Sequence, residues 1–304
     1  MTDCSTADAH SIHATRHDCT VIIATLALKE RRDSLDRAIK SVRTGNKSSI
    51  RVLLILNGDR FHLPLVEELR ARQDVELIQI PEGSLSAAIL EGRKHVQSPF
   101  FAFLDDDDEY LPGAVDLRIT LMETHPEASV VATNGYRCLD GNDQLAMPTK
   151  RDGFIDEPQQ AMLEENWLAS CGGLYRSNDL PISLFEGVAR YLEWTWIGFR
   201  IASSGRKVFF AHEPTFRIHD SVASESKSDA YFANGAEILE RMKEIASDKK
   251  AKKLLRRRLA QAWHDTSDFH RRRGNTRPAW SAHLRSLIYP TGFRYLAYTR
   301  RLLF

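Results

Sequence analysis

Four consecutive aspartates, Asp105, Asp106, Asp107 and Asp108, follow directly on the apolar run Phe100–Leu104. Two carboxylates about 4 Å apart repel by roughly 1 kcal/mol in water and about 4 kcal/mol at an effective dielectric near 20. A cluster of that kind at the rim of a fold calls for a cation. Oxygen donors alone favour Mg²⁺ or Mn²⁺ over zinc, and such an ion with open positions bridges to phosphate oxygens. An extended continuation of the chain points Asp105 and Asp107 to one side and Asp106 and Asp108 to the other. A solvated cap for a following helix, marked by Leu111, Val115, Ile119 and Met122, is the weaker account, since one cap needs one aspartate.

The elements that must hold these carboxylates follow from the apolar pattern. A short continuous apolar run reads as a strand buried on both faces of a parallel sheet, and ligands bind beyond the carboxyl ends of such strands. Thr20–Thr25, Arg51–Leu56, Val75–Ile80 and Phe100–Leu104 are four such strands. Helices are expected over 29–44, 65–72 and from Leu85 through Val96, where apolar residues recur at helical spacing. This alternation predicts a Rossmann-like, mostly parallel sheet flanked by helices. Ser129–Thr133 is a fifth strand, 190–204 a helix, and Lys207–Ala211 and Thr215–Ile218 short strands around Pro214. Cys171-Gly172-Gly173 is a place for close backbone approach to a ligand or for a plain turn.

The chain of 304 residues is long enough for a full core, and its charge is unevenly spread. Residues 249–304 hold fifteen Lys and Arg against two Asp, a net of +13, so the other 248 residues carry −12. Cys4, Cys19, Cys138 and Cys171 show no metal-ligand spacing and are expected as reduced thiols. Residues 1–17 are polar, with His10, His13 and His17 but no signal-peptide core, and are expected to be disordered. No run is long and apolar enough to span a membrane. Together these features point to the cytoplasm, with a peripheral place on the inner face of the plasma membrane as an extension of that reading.

In their order, the segments from about Thr20 to Ser224 resemble the GT-A fold of the family 2 inverting glycosyltransferases. The opening strand and helix are similar to TVIIAT and the segment Leu35 to Val42. The stretch Leu85-Ser86-Ala87-Ala88 with Gly92 resembles the approach to the family's metal motif, and its DxD with an extra acid falls on Asp105, Asp107 and Asp108. Arg190-Tyr191-Leu192-Glu193 through Arg200 and Gly205 is similar to the family's YLED…R…G segment. Arg217-x-His219 with Ser221 and Ser224 resembles its closing segment. The haloacid-dehalogenase phosphatase pattern DxDx[TV] matches less well, because Glu109 stands in its last place. An EF-hand loop fails because Tyr110 replaces its glycine.

The resemblance implies a GT-A domain over 18–228 and a hexosyltransferase that moves a sugar with inversion from a nucleotide donor, a UDP-sugar by preference. The acceptor would be a hydroxyl of a glycan or lipid-linked molecule in cell-surface polysaccharide or glycolipid assembly. It places Asp107 as direct ligand of Mg²⁺ or Mn²⁺ with Asp108 assisting, and His219 completing the metal shell or donating to a phosphate. Thr25, Asn57, Asp105, Asp106 and Arg200 would contact the donor, and Glu193 would serve as catalytic base in place of the family's Asp, whose position Trp194 holds. Three departures stand out. The acidic pair after the second strand is replaced by Leu56 and Asn57, the family's Arg-Asn by Ile89-Leu90, and the Asp of ED by Trp194. A GT-A-like binding or scaffold protein with impaired catalysis is therefore the alternative. Tyr191, Trp194, Trp196 and Phe199 offer rings to stack on a sugar or to fill the core.

The helical basic region 229–304 interleaves Lys and Arg with Leu, Phe and Tyr, which suits an interfacial helix on an anionic membrane surface. The other expectation is that it packs on the acidic body or on a second subunit of a homodimer. No nucleic-acid module surrounds the charge, so nucleic acid is not an expected partner.

Overall fold

A computed structural model of the chain describes residues 17–81, 83–188, 191–219 and 229–303. The expectations placed on residues 1–16, including Cys4, His10 and His13, and on Arg190, Ser221 and Ser224 lie outside these residues.

The apolar runs form strands β1 (Cys19–Thr25), β2 (Ile50–Asn57), β3 (Glu76–Ile80) and β4 (Phe100–Asp105). They lie in the order β3-β2-β1-β4, all parallel, with Ala24 paired to Asp105 and Thr25 to Leu56. β1, β2 and β4 are buried along nearly their whole length, so both faces of this half must be covered. Helices α1 (Arg32–Arg43), α2 (Leu63–Ala71) and α3 (Leu85–Lys94) supply that cover. α1 buries Leu35, Ala38, Ile39 and Val42, the stripe expected of an amphipathic helix. A single 3₁₀ turn, Lys29–Arg31, precedes it where a continuous helix was expected. In α3 a Cβ on Gly92 would lie 2.4 Å from Ile22 of β1, so only glycine lets this helix approach the sheet so closely.

Beyond β4 the sheet becomes mixed rather than continuing parallel. The chain adds β5 (Glu109–Tyr110), α4 (Ala114–Thr124), β6 (Val130–Leu139), β7 (Asn142–Leu145) and β8 (Gly153–Phe154). It then runs through α5 (Pro158–Glu164), β9 (Gly173–Arg176), α6 (Glu193–Ser203) and β10 (Val208–His219). β9 inserts antiparallel between β4 and β6, and β10 lies parallel to β6 with β5 antiparallel on its far side. The two short strands expected around Pro214 are one strand with register shifts on either side of that proline, which has no N–H to give the ladder. Gly172 closes a turn, its N–H donating to the Ala169 carbonyl at 3.1 Å, and both glycines also serve packing. A Cβ on Gly172 would meet the Phe216 ring at 3.0 Å, and one on Gly173 the Tyr175 hydroxyl at 2.6 Å.

The C-terminal region is helical: α7 (Asp229–Ile245), α8 (Lys249–Arg272), α9 (Thr276–Ile288), a 3₁₀ helix over Gly292–Thr299 and α10 (Arg300–Leu303). Ile238 and Met242 of α7 and Ala251 and Leu255 of α8 belong to the same apolar core as the sheet. Leu259 and Trp263 continue into a smaller cluster with Ala236 and Ala282. Asp248 caps α8 by accepting from the N–H groups of Lys250 and Ala251 at 2.9 and 3.1 Å. Among the described residues no helix is long and apolar enough to cross a membrane.

Candidate active site

Because β1 and β4 are neighbours in a parallel sheet, the loops after both strands meet at one rim. β4 ends at Asp105 and the chain turns at once, with the Asp108 N–H donating to the Asp105 carbonyl at 3.2 Å. The alternation expected of an extended chain is therefore lost. The turn brings Asp105, Asp107 and Asp108 together on the wall of one cavity of about 440 Å³ and leaves Asp106 outside that wall.

Asp106 is held by the β1 side of the rim. Thr25 Oγ1 donates to its Oδ2 at 2.6 Å, and Arg31 stands 3.4 Å from its Oδ1. The same Arg31 guanidinium forms a closer ion pair with Asp107, and Arg37 donates to the Asp107 carbonyl oxygen at 2.6 Å. Neither arginine stood out in the sequence. The run Lys29-Glu30-Arg31-Arg32-Asp33 reads as an ordinary charged helix start, and only strand adjacency turns it toward the aspartates.

Asp108 is 3% exposed and is fixed from the other side. The backbone N–H of His219 donates to it at 2.9 Å, and Cys171 Sγ lies 3.8 Å away. The β5–β10 pairing produces this contact, since it sets Glu109 opposite Arg217. Arg217 then bridges Glu109 at 2.7 Å and Asp143 at 2.8 Å. The His219 ring faces the cavity with Nε2 3.2 Å from Glu109 Oε1. Beneath, the buried Arg118 donates to the Cys171 carbonyl at 2.8 Å and holds that loop to α4.

Burial, followed by the charges of neighbouring carboxylates, drives the proton affinities of Asp105 and Asp108 well above the usual carboxylate range. Ser170 counters this at Asp105 through a side-chain hydrogen bond, and Glu193 adds to the repulsion there. A carboxyl raised in the folded state binds a proton that the unfolded chain has already released. Without a cation, the contribution of these two groups to stability is therefore largest below about pH 4 and is lost as pH rises through their raised titration range. Asp108→Asn should accordingly stabilise the metal-free protein at neutral pH by on the order of 1 kcal/mol, a few degrees in Tm. Thermal unfolding of both proteins at pH 5 and pH 8 checks this, and the gap should widen at the higher pH.

Glu193 faces the aspartates across the cavity, from the first residue of α6. The helix starts three residues later than the sequence suggests. Tyr191 and Leu192 just before it both adopt left-handed backbone, with φ of 66° and 56°. For bulky residues that conformation is strained, and it ends in a fixed carboxylate, whose Oε1 accepts the Tyr191 N–H at 3.0 Å. Trp194 packs edge-on against Phe103 at 5.0 Å between centroids and still lines the cavity, as does Tyr191. Trp196 and Phe199 are buried in the core.

Thr25, Asn57, Asp106 and Arg200 stand outside the cavity lining. Asn57 Oδ1 accepts the Ser84 N–H at 2.7 Å and so ties the end of β2 to the start of α3. Arg200 gives its guanidinium to the carbonyls of Ser183, Leu184 and Glu186 at 2.8, 3.1 and 2.6 Å, which pins α6 to a 3₁₀ turn over Ile182–Phe185. Its guanidinium is thus held by backbone and stands outside the cavity lining. Glu165 and Asn166, which drew no attention in the sequence, line the cavity beside Glu193.

Residues 20–177, just over half of the chain, match the sequence profile of glycosyl transferase family 2. The chain belongs to that family. The aspartate cluster lies inside the matched stretch, whereas Glu193, Arg200 and His219 of this glycosyltransferase lie beyond it. Its fold is similar to the crystal structure of TarS 1–349 from S. aureus, with a TM-score of 0.59 and 13% identity over 89% of this chain and 80% of that one. The same S. aureus fragment in complex with UDP-GlcNAc aligns with a TM-score of 0.60 and 12% identity, covering 90% and 82%. The complex of that fragment with UDP gives a TM-score of 0.58 and 13% identity over 89% and 80%. At such identities the likeness is one of fold, the GT-A fold. No curated protein matches the sequence.

Proposed function

We propose that this family 2 glycosyltransferase binds a UDP-sugar with Mg²⁺ or Mn²⁺ and moves the sugar, with inversion, to a hydroxyl of a glycan or lipid-linked acceptor. The observation that carries the reading is the meeting of Asp105, Asp107 and Asp108 with Glu193 across one cavity. The donor set fits a hard cation, being all oxygen and short of positive charge where Asp105 and Asp108 are buried together. Among the described residues no three His, Cys, Asp or Glu side chains form a metal cage of their own. One or two carboxylates completed by substrate phosphates are the usual arrangement for Mg²⁺.

Asp107 and Asp108 would hold the ion, which supplies charge neutralisation on the departing diphosphate. Asp105 would face the ribose, and Thr25 and Asn57 the nucleoside end of the donor. Glu193 would take the proton of the acceptor hydroxyl as its oxygen bonds to the anomeric carbon and the bond to the diphosphate breaks. Tyr191 and Trp194 give a sugar an apolar face on which to stack. His219, tied to Glu109, would donate to a phosphate from the rim. The solved relative's complexes with UDP-GlcNAc and UDP support the choice of nucleotide.

A second reading, a donor-binding protein without turnover, is favoured by one observation: Trp194 stands where the resemblance puts the base and packs on Phe103. Release of nucleoside diphosphate from a panel of nucleotide sugars, with Mn²⁺ and with EDTA, separates the two. Cation-dependent release supports the transferase, binding without release supports the second reading, and neither binding nor release rejects both.

A further inference from the structure

The basic C-terminal region divides into a buried and an open part. α8 turns Leu255, Leu259 and Trp263 inward, so its run of leucines and arginines is not a free amphipathic helix. Apart from Ile245 at the end of α7, the large apolar side chains left exposed among the described residues of this region come after it. Leu284 and Ile288 are four residues apart on α9, 57% and 75% exposed, while Ala279, Ala282 and His283 of that helix are buried. Phe293 and Leu296 are three apart in the 3₁₀ helix, 73% and 58% exposed, opposite the buried Tyr295 and Tyr298. Spacings of four in an α-helix and three in a 3₁₀ helix each put the pair on one face. Leu303 on α10 adds a further exposed apolar side chain, at 61%.

Charge accompanies these side chains in one sign only. Residues 273–303 contain six arginines, at positions 273, 277, 285, 294, 300 and 301, all exposed, and no Asp or Glu. We propose that the outer surface of α9, the 3₁₀ helix and α10 docks on an anionic membrane leaflet. The aliphatic and Phe side chains would enter the headgroup boundary while the arginines meet lipid phosphates. A symmetric contact with a second copy would set these arginines against a like segment, 273–303, that carries no acid of its own. A nucleic acid would satisfy the arginines and leave Ile288, Phe293 and Leu296 uncovered.

Docking would also locate the cavity. Ser247 and Lys250, at the start of α8, bind Gln159 and Glu157 at 2.8 and 2.9 Å, and these residues open α5, which leads into Glu165 on the cavity wall. These contacts join the helical region to the cavity wall, so docking would bring the site to a membrane that could carry a lipid-linked acceptor. The docking itself stands on this surface alone; only the placing of an acceptor rests on the proposed transferase function.

Flotation of the full chain with vesicles of phosphatidylcholine, with and without phosphatidylglycerol, tests the proposal. Binding should require phosphatidylglycerol and weaken with salt. Replacing Arg277, Arg300 and Arg301 with Ala should lower partitioning on the order of 100-fold, at about fivefold per charge. Ile288→Ser with Phe293→Ser should lower it by at least about tenfold. All five positions are exposed, so circular dichroism and donor hydrolysis in solution should stay unchanged. Equal binding to neutral vesicles, no binding to anionic ones, or full binding by both variants would overturn the proposal. So would light scattering in which the substitutions dissociate an oligomer without affecting vesicles, which would make the face a contact between copies.

Discussion

Asp107→Asn should lower nucleoside diphosphate release from a UDP-sugar by about 10²–10⁴-fold and remove the Mn²⁺-dependent rise in Tm. The amide keeps the shape of the carboxylate but gives up its charge and one metal-binding oxygen. A metal acting on the leaving group contributes several kcal/mol, and each 1.36 kcal/mol is a factor of ten in rate. The effect should be larger than that of Asp106→Asn, because Asp106 stands outside the cavity and is already occupied by Thr25 and Arg31. Arg31 now neutralises Asp107, so removing that charge should leave the fold intact while binding fails. Circular dichroism, initial rates and a thermal-shift titration with Mn²⁺ measure the three quantities together. Wild-type rates in the Asp107 variant would remove the cation from this corner of the protein.

Glu193→Gln should reduce sugar transfer by about 10²–10⁴-fold, the usual contribution of a positioned base, while donor affinity changes little. The geometry supports that separation. Glu193 sits across the cavity from the aspartates, on a helix start preceded by two strained residues, and Trp194 beside it carries no group able to take a proton. Rates with an acceptor, together with calorimetric titration of UDP, distinguish loss of chemistry from loss of binding. If the Gln variant transfers sugar as fast as the wild type, Glu165 is the next carboxylate on that wall to examine. If the wild type binds UDP and never transfers, the binding-protein reading gains instead.

Local pattern made much of the framework legible. Thr20–Thr25, Arg51–Leu56 and Phe100–Leu104 are continuous apolar runs, and a strand covered on both faces has no other way to be written. The resemblance to family 2 rested on Thr20–Thr25 with the helix after it, on Leu85–Ala88 with Gly92, on the aspartates, and on the segments from Arg190 to Gly205 and from Arg217 to Ser224. The second half was harder to read. β9 is four residues long and gains its place only by pairing with Phe101 on one side and Val131 on the other, partners far away in sequence. The packing role of Gly172 was not legible because the ring that requires it, Phe216, lies far away in sequence.

The sequence by itself determined a parallel α/β framework with an acidic cluster at the end of its central strand, because burial and helical spacing act over a few residues. Tertiary structure decided which way each aspartate faces, since a turn stabilised by Thr25, Arg31 and the β5–β10 pairing overrides alternation along an extended strand. It also decided that Arg200 serves backbone, that α6 begins at Glu193, and that α8 is core while α9 and the residues after it remain open. These outcomes depend on contacts between segments distant in the chain, and the free energies of such contacts appear only when the segments are brought together.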